Sequence, residues 1–487
     1  MISEERLRQI AGEVNVSATT STVESRGRSD SLVSEIRPQF VVRVENTQVV
    51  QALVSEARST HTPLVPVSSG PPHFHGDTMP TTGDAIVVDL GRMKRIDWID
   101  RTERVAAFEP GVTFGELIPA IAQQGLRLNT PLRPRTTKSV IGSMLSREPV
   151  IMPRYHWDAG DPMGSTEVVF GTGDLFRTGA AAGPGSIEEQ REAGGAQKEA
   201  AGPSTNSWHR VIQGAQGTLG IVTWASARCE ILPTIEEPFF VGSQDLGRLI
   251  EAARWLVRLR LANECFLVNG SQFAALSSWS REGYADVKAE APPWVLFYNL
   301  AAHGYLPEEG IQGRLLDTRD LMQRIGLAPM KSVAGTAASR FLKDARQPSV
   351  GPYWKLQPKG GWQDIFFVTT YSRLPGLVST MRKIAAQIGC SELPLGVYVQ
   401  PIVQGTSCHC EFTVYYDPDN GAETKAVRAL VNAAIDPLMA AGAFFSRPFG
   451  EVAKDIVNRD AASVMVLKQV KEILDPAGIL NPGKLCF

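Results

Sequence analysis

Four short turns rich in glycine, serine and proline carry the most distinctive chemistry of this sequence. Each follows an apolar, strand-like run, and such turns expose backbone N–H groups and let a phosphate or a flat ring system approach closely. One such turn is common in any fold, whereas four in one order along the chain predict a single extended cofactor. The residues of these four turns are Pro66, Ser68, Ser69 and Gly70; Pro110, Gly111, Val112 and Thr113; Ser139 and Gly142; and Gly217, Gly220 and Ile221.

Several well-known phosphate and catalytic motifs do not occur in the sequence. There is no G-x-x-x-x-G-K-[ST] loop and no G-x-G-x-x-G between a strand and a helix, so dinucleotide binding of the Rossmann kind has no support. Neither H-E-x-x-H nor G-x-S-x-G is present, which removes two common classes of hydrolase motif.

The periodicity of apolar residues predicts the strands and helices that position the four turns. Thr113 and Glu116 form a capping-box pattern, which fixes a helix start directly after the Pro-Gly turn. The middle of the chain alternates long helices with β-rich runs, a pattern typical of an α+β fold. Strands are predicted at 64–67, 85–90, 105–108, 167–170, 175–178 and 221–224, with β-rich runs from 294, 362, 395 and 411; helices are predicted at 46–57, 113–124, 246–261, 311–325, 374–388 and 422–441.

Residues 179–207 differ in composition from the segments on either side. They are rich in glycine, alanine and small polar residues and have no consistent apolar face. This composition favours a flexible surface insertion. The alternative is a lid over a binding site.

The overall composition indicates a globular protein of roughly two or three domains. With 49 Lys and Arg against 51 Asp and Glu, the net charge of −2 excludes a nucleic-acid binder that relies on a broad basic surface. The 6 cysteines are too scattered for a disulfide framework. Because neither a signal peptide nor an apolar run of about 18 residues is visible, we expect a cytoplasmic protein with no membrane span.

Several segments, taken together, resemble the FAD-binding fold of the vanillyl-alcohol oxidase and 4-cresol dehydrogenase family. In order they are VPVSSG, IVVDLGRMKRID, EPGVTFGEL, GLRL, TTKSVIGSM, EVVFGTGDLFRTG, GAQGTLGIVT and DPAGILNPGK, and they span the chain from about residue 38 to residue 484. The resemblance implies a flavoprotein oxidase or dehydrogenase with FAD as its cofactor. It also implies an α+β fold, with a PCMH-type FAD-binding domain of two α+β subdomains and a cap domain whose antiparallel sheet is flanked by helices.

The implied domain boundaries split the FAD-binding domain in sequence. Residues 1–232 form its main part, of which about 38–232 is the recognisable stretch. Residues 233–449 form the substrate-binding cap, and residues 450–487 return to the FAD-binding domain.

The resemblance assigns cofactor contacts to the four turns. The pyrophosphate would lie on the loop at 68–76, which includes His73 and Gly76, where backbone amides neutralise it without a large basic patch. The turns at 110–113, 139–142 and 217–221 would contact the adenine and the ribitol. Asn481 and Lys484 would close over the flavin.

A carboxylate near flavin N5 is also implied by the resemblance. Counting back from the EVVFGTG segment places it at Asp158, in PRYHWDAGDP, where it could take a phenol proton or stabilise a cationic quinone methide. Asp161 is the alternative position, and a turn residue before Gly160 is the purely structural interpretation of Asp158.

The family's phenolate-binding arginine corresponds to Arg447 in the segment SRPF. An arginine suits this role because it stays charged when it is desolvated, although a surface ion pair is the ordinary alternative. Of the two tyrosines expected beside it, one position is occupied by Ser446 and the nearest match to the other is His75. The resemblance therefore implies that His75 and Arg447 hold an oxyanion together.

His409 stands where the cap strand of some relatives supplies a histidine that is covalently bonded to the flavin. Its neighbours Cys408 and Cys410 suggest a metal site, but adjacent residues of a strand point to opposite faces, and no second ligand pair with zinc spacing occurs. We therefore predict no metal site, and for His409 either covalent attachment of FAD or an unmodified pocket or core residue.

Three functions are compatible with these residues. The first is FAD-dependent transfer of a hydride from the benzylic carbon of a 4-alkylphenol or a related alcohol to flavin N5, with electrons passing to dioxygen or to a protein acceptor. The second is an FAD-dependent 2-hydroxy-acid dehydrogenase. The third is a flavin-binding subunit of a larger redox complex, suggested by Pro71 and Pro72 in the phosphate loop. Similar proteins also imply a small aromatic or hydroxylated substrate and a homo-oligomer.

Overall fold

Three β-sheets and the helices packed on them form the frame of the chain. The computed structural model describes residues 1–18, 32, 36–153, 162–182, 185–193, 208–349, 351–402 and 405–487. Within these ranges, a parallel sheet and two antiparallel sheets give the predicted α+β class, which is confirmed.

The first sheet is mostly parallel and fully buried. Its strand order is β1-β2-β4-β3, in which β2, β4 and β3 run parallel and β1 pairs antiparallel with β2. Strands covered on both faces have continuous apolar sequences, and this is why periodicity predicts β3 and β4 so closely. The elements are α1 (Glu4–Ala11), β1 (Val16–Ser17), β2 (Phe40–Arg43), α2 (Thr47–Thr60), β3 (Leu64–Val67) and β4 (Ile86–Asp89).

The second sheet is antiparallel and carries three of the four turns at or beside its strand ends. Its order is β5-β6-β10-β8-β9, and β7 pairs with the far end of β10. At the start of α3 the Thr113 N–H donates to Glu116 Oε2 at 2.9 Å, so the predicted helix start is confirmed. The elements are β5 (Ile96–Asp100), β6 (Val105–Phe108), α3 (Phe114–Gln123), β7 (Leu126–Leu128), α4 (Val140–Leu145), β8 (Met163–Val169), β9 (Leu175–Arg177), α5 (Ile187–Glu192), α6 (His209–Ile212) and β10 (Ile221–Ile231).

The third sheet, called the cap sheet below, has six antiparallel strands in the order β11-β13-β12-β17-β18-β16. Its elements are β11 (Ile235–Ser243), α7 (Leu246–Arg258), β12 (Ala262–Asn269), α8 (Gly270–Ser277), α9 (Arg281–Glu290), β13 (Trp294–Ala302), α10 (Pro307–Ile325), the short hairpin β14 (Ser332–Val333) and β15 (Thr336–Ala337), α11 (Ala338–Arg346), β16 (Gly361–Thr369), α12 (Leu374–Ile388), β17 (Leu395–Ile402), β18 (Ser407–Tyr416) and α13 (Gly421–Ala440).

The two faces of the cap sheet have different partners. The four long helices α7, α10, α12 and α13 cover one face, and Cys408, Cys410 and Phe412 of β18 pack into the core that they form. The alternating residues of β18, among them His409 and Glu411, belong to the other face. That face is directed toward the four turns, and helices α8 and α11 pack beside it.

The end of the chain returns to the first sheet. After α14 (Ala453–Val457) and α15 (Ala461–Leu474), the Leu64 N–H of β3 donates to Ile479 O and the Asn481 N–H donates to Leu64 O, both at 2.8 Å. The buried Lys471 Nζ donates to Thr218 O at 2.6 Å, beside the fourth turn. The tail therefore adds a short parallel bridge to a strand that lies far back in the sequence.

The segment predicted to be an insertion is only partly described. Residues Gly179–Ala182 form a 3₁₀ turn and α5 follows, whereas residues 183, 184 and 194–207 lie outside the described ranges. In the described part of the chain, no helix combines the length and apolarity that crossing a bilayer requires.

Candidate active site

A cavity lies between the four turns and the cap sheet. On the side of the turns it is lined by Pro66, Ser68, Ser69, Pro110, Gly142, Gly217, Gly220 and Ile221, together with His73 and His75. On the side of the cap it is lined by Tyr353, Trp354, Lys355, Trp362, Asp364, Phe366, Tyr398, Glu411, Arg447 and Phe449. The structure thus brings half of the predicted cofactor residues and two of the three predicted catalytic residues to one cavity.

The turns pack so closely against one another that Gly217 has no room for a side chain and Gly142 has very little. Gly217 has a φ of +72°, and a Cβ there would lie 2.5 Å from Pro66 Cγ. A Cβ on Gly142 would lie 3.0 Å from Ser68 Oγ. Glycine at these positions keeps the backbones of three turns near one another, which an extended cofactor requires if it is to contact all of them.

The loop at 68–76 fits an anionic group. Within the described ranges the backbone N–H groups of Phe74, His75 and Gly76 donate no hydrogen bond, although the loop is otherwise well anchored. The hydroxyl of Thr78, next along the cavity wall, is buried with no partner in those same ranges. Consecutive unused N–H groups form an anion-binding concavity, so these residues fit the pyrophosphate of FAD.

Other predicted cofactor residues shape the cavity without lining it. The Gly70 N–H donates to Thr137 O at 2.9 Å, and the Ser139 hydroxyl donates to Pro110 O at 2.6 Å. A Cβ on Gly111 would come within 2.6 Å of the carbonyl oxygens of Leu90 and Met93. Val112 and Thr113 lead into α3, where Val112 is buried in the core of the second sheet. Direct cofactor contact by these residues stays a prediction.

Asn481 and Lys484 anchor the loop at 68–76 through hydrogen bonds to its C-terminal end. The Asn481 side-chain amide donates to Asp77 O at 2.9 Å and to Gln216 O at 2.6 Å, and Lys484 Nζ donates to Gly76 O at 2.8 Å. The tail therefore braces the loop at 68–76 against the fourth turn. Neither side chain lines the cavity itself, and closure over the flavin stays a prediction.

Asp158 and its alternative Asp161 lie outside the described residues. The predicted carboxylate near flavin N5 is therefore not part of the geometry given below, and its role stays a prediction.

Arg447 is a buried cation that lies near carboxylates but forms no ion pair within the described ranges. Its side chain lies with the guanidinium 4.3 Å from the centroid of Phe366, and its Nη1 donates to Ser146 O at 2.9 Å. Among the described residues no carboxylate oxygen comes within the 4.0 Å of an ion pair, although the residue is only 7% exposed. Burial lowers the pKa of Arg447 to about 10, which still leaves it charged at neutral pH.

His75 lies against the same aromatic pair as Arg447. Its ring stacks on Phe449 with centroids 5.0 Å apart and meets the edge of Phe366 at 6.0 Å. Burial lowers the pKa of His75 to about 4, so the ring is neutral at neutral pH and can donate one hydrogen bond. Arg447 and His75 thus present a charged and a neutral donor group to one cavity.

His409 points away from the two cysteines beside it. Its ring lies 6.0 Å from those of Phe366 and Tyr398, on the cavity face of β18, while Cys408 and Cys410 face the helices. His409 Nε2 is buried with no hydrogen-bond partner in the described ranges, and burial lowers its pKa. In that part of the chain no three potential ligands are grouped as a metal site would need. Covalent attachment of FAD stays a prediction.

Three charged residues at the cap end of the cavity were not predicted from the sequence. Lys355 Nζ lies 2.7 Å from Asp364 Oδ2 and 2.6 Å from Glu411 Oε1, and we call these three residues the polar cluster. Burial, together with the neighbouring Glu411, raises the pKa of Asp364 to about 6. Burial alone would also raise the pKa of Glu411, but Lys355 holds it well below its usual range.

Aromatic rings from the cap and from the phosphate loop form the walls around the polar cluster. Phe74 lies 4.0 Å from Trp362 and 5.9 Å from Tyr353, measured between ring centroids. These rings pack partly into the cap core and also face the cavity, which therefore offers a flat, apolar space with polar groups at its end.

Two family models match the chain. A model described as "FAD binding domain" covers residues 38–179, and one described as "FAD linked oxidases, C-terminal domain" covers residues 355–485. The second model begins at Lys355 of the polar cluster and ends beside Lys484.

Relatives and solved structures agree with these models. The chain is 23% identical to the 4-cresol dehydrogenase [hydroxylating] flavoprotein subunit of Pseudomonas putida, over 92% of this chain and 87% of that one, and 27% identical to a glycolate oxidase subunit of Bacillus subtilis, over 92% and 89%. Its fold matches p-cresol methylhydroxylase with substrate bound at a TM-score of 0.84, with 19% identity over 99% and 96% of the two chains. A 4-ethylphenol oxidase from Gulosibacter chungangensis matches with the same score and identity, over 99% and 95%.

Fold, cavity and comparisons define a flavoprotein oxidoreductase whose cofactor is FAD. The chain belongs to the FAD-linked oxidases with a PCMH-type FAD-binding domain, and it is similar to the flavoprotein subunit of 4-cresol dehydrogenase. When bound, FAD supplies the isoalloxazine ring that accepts a hydride.

Proposed function

We propose that this enzyme oxidises the benzylic carbon of a 4-hydroxybenzyl or 4-alkylphenol substrate, with Arg447 binding the phenolate oxygen. The observation that carries the proposal is the buried guanidinium of Arg447, which lines the cavity and has no carboxylate partner in the described ranges. A buried charge without a partner is costly unless a ligand neutralises it, so the site favours an anion.

The surroundings of Arg447 support an aromatic anion in particular. Phe366 and Phe449 offer ring faces beside the guanidinium, and the neutral His75 adds a second hydrogen-bond donor to the oxyanion. Binding the phenolate rather than the phenol makes the ring electron-rich, which helps hydride departure from the carbon opposite the oxygen. The aromatic walls of the cavity exclude water from that carbon.

The proposal is tested by the visible spectrum of the purified holoenzyme under anaerobic conditions. We expect the bands of oxidised flavin to bleach when 4-hydroxybenzyl alcohol or 4-ethylphenol is added. Flavin bands that persist with both compounds would contradict the proposal and leave the fold and the cofactor unaffected.

Arg447→Met should weaken substrate binding by about 10- to 100-fold in the same assay, because a hydrogen bond to a charged group contributes about 1.5–3 kcal/mol. Arg459→Lys, a change at a surface ion pair with Asp436, serves as the control and should leave binding unchanged. If Arg447→Met bound both phenols as tightly as the wild type, the anion would have to be bound elsewhere.

A 2-hydroxy acid is the second candidate substrate. The glycolate oxidase subunit named above and D-lactate dehydrogenase [cytochrome] of Arabidopsis thaliana, 26% identical over 40% of this chain and 31% of that one, are both relatives. Arg447 could bind a carboxylate as well as a phenolate. Bleaching of the flavin by D-lactate or glycolate, and not by the phenols, would favour this candidate.

The electron acceptor is part of the same proposal. The Pseudomonas putida relative is described as a flavoprotein subunit, which supports a protein acceptor or a larger redox complex as the alternative to dioxygen. Reoxidation of the bleached enzyme by air within seconds would favour dioxygen. The homo-oligomer implied by the family resemblance is tested by light scattering of the holoenzyme.

A further inference from the structure

The polar cluster occupies the cap end of the cavity, and its members come from three separate elements. Lys355 lies in the 3₁₀ turn Trp354–Leu356, Asp364 lies on β16 and Glu411 lies on β18. The strand register sets Phe366 opposite Glu411 and Asp364 opposite Thr413. Since charged groups are seldom buried without a purpose or a partner, each hydrogen bond of the cluster needs to be accounted for.

Asp364 is fully engaged within the protein. Its Oδ2 accepts from Lys355 at 2.7 Å and from the Trp362 indole at 3.1 Å, and its Oδ1 accepts from the Thr413 hydroxyl at 2.7 Å. Nothing about Asp364 calls for a ligand. Its carboxylate holds Lys355 in place.

In the described part of the chain, Glu411 and Lys355 each keep one unused hydrogen-bonding position. Glu411 Oε1 accepts from Lys355 at 2.6 Å, whereas Oε2 accepts no hydrogen bond within the described ranges. His409 Nε2 lies 3.8 Å from Oε2, which is too far for a hydrogen bond. Lys355 has three N–H donors, and two of them donate hydrogen bonds, one to Asp364 and one to Glu411. Both side chains line the cavity.

A free acceptor and a free donor on neighbouring side chains are complementary to an alcohol. A hydroxyl can donate to Glu411 Oε2 and accept from Lys355 Nζ at the same time. An alkyl group can do neither, and a carboxylate would be repelled by Glu411. The cluster therefore suits a hydroxyl group on the substrate other than the phenolate bound by Arg447.

We propose that Glu411 and Lys355 bind the side-chain hydroxyl of a 4-hydroxybenzylic alcohol, and that Glu411 accepts its proton during oxidation. This inference rests on the proposed function and names the residues that select the alcohol. The alcohol O–H bond breaks and its proton goes to Glu411 Oε2, while the C–H bond breaks and its electron pair leaves with the hydrogen to the FAD. A C=O bond forms, so the alcohol becomes an aldehyde and FAD is reduced by two electrons.

The charged surroundings of Glu411 set the pH range of this step. Glu411 faces Lys355 and Asp364, with His409 on the same strand, Tyr398 on β17 and Arg447 on the loop that follows α13. Because the pKa of Asp364 is about 6, the cluster already holds a proton below that pH and accepts a second one poorly. Alcohol oxidation should therefore slow as pH falls through about 6.

The test compares two substrates that differ at the side chain. In Glu411→Gln, anaerobic flavin reduction by 4-hydroxybenzyl alcohol should slow by about 100-fold, the usual contribution of a proton acceptor. Reduction by 4-ethylphenol, which has no side-chain hydroxyl, should change by less than about 3-fold. Glu423→Gln removes a carboxylate that pairs with Lys359 away from the cavity, and it should alter neither rate.

The outcomes separate this inference from the proposed function. Equal slowing of both substrates by Glu411→Gln would show a structural role for the cluster and overturn the inference. If Glu411→Gln does not retain FAD, Glu411→Asp keeps the charge, shortens the reach and should still slow the alcohol selectively. A wild-type enzyme that neither phenol reduces would instead refute the proposed function.

Discussion

At the scale of single residues, the close packing of Gly217 against Pro66 predicts the effect of a substitution on FAD binding. Gly217→Ala places a methyl group 2.5 Å from Pro66 Cγ at a backbone φ of +72°, so both the contact and the backbone become strained. We expect the variant to lose most of its FAD on gel filtration, measured as the ratio of flavin to protein absorbance.

Gly376→Ala is the matched control for this substitution. Gly376 lies in α12, with no atom within 4 Å of the added methyl group and no positive φ. Because Gly376 lies in the first turn of this helix, alanine there should be neutral or stabilise the protein by up to about 1 kcal/mol. Full flavin content in Gly217→Ala would show that the turns are more tolerant than their packing suggests.

The lowered pKa of His75 predicts how the free energy of unfolding depends on pH. Burial lowers its folded-state pKa to about 4 from an ordinary value of 6.5, so between these pH values the unfolded chain binds more protons than the folded one. The stability associated with His75 is present above pH 6.5 and is lost as pH falls toward 4. In His75→Asn, the decline in unfolding free energy between pH 6.5 and 4.5, measured by urea titration, should be shallower by up to about 1.4 kcal/mol per pH unit.

Sequence patterns identified the turns better than the cap residues of the site. Glycine and serine after a strand have a local meaning, and Gly142 and Gly217 can be recognised from it. Lys355, Asp364 and Glu411 each have the pattern of an ordinary charged residue, because only the register of β16 and β18 and the turn before β16 bring them together. One signal was present: His409, Glu411 and Thr413 alternate along an otherwise apolar strand, which marks a polar face.

At the scale of elements, two strands of the cap sheet escaped prediction for different reasons. β11 contains Glu236, Glu237 and Pro238, a combination that is tolerated because this strand lies at the edge of the sheet. β12 carries Glu264 in its buried middle, where a charge argues against a strand unless its partners are known. Those partners are Arg127 and Arg346, which are distant in sequence.

Glu264 ties the cap to the FAD-binding part of the molecule. It is 1% exposed and accepts from Arg127 of β7 at 2.9 Å, from Arg346 Nε of α11 at 3.0 Å and from Asn299 of β13 at 2.8 Å. Glu264→Gln leaves Arg127 without a carboxylate partner in the described ranges, while Arg346 keeps Glu236, and it should cost about 3–5 kcal/mol in urea unfolding. Glu251→Gln, on the exposed face of α7, should stay within about 0.5 kcal/mol of wild type. A loss below about 1 kcal/mol in Glu264→Gln would mean that the arginines find other partners.

At the scale of the whole molecule, the site exists only where separate parts meet. The turns and the cap sheet contribute groups to the cavity, and the tail braces the loop at 68–76 from outside it. Within the described ranges, the cavity brings together backbone N–H groups that donate no hydrogen bond, a guanidinium without an ion pair and the polar cluster. The family resemblance predicted this general plan, because the order of the motifs is preserved along the chain. It did not predict the cap chemistry, since that depends on side chains outside the motifs.

The return of the tail to the first sheet has a consequence for biosynthesis. Asn481 contacts Asp77 across a separation of 404 residues, and Lys484 reaches Gly76 across 408. While the chain emerges from the ribosome, all four turns are complete long before the residues that brace them. We therefore expect FAD to be bound stably only after the residues from Asn481 to Lys484 have been made, and a chain truncated before them should retain the coenzyme poorly.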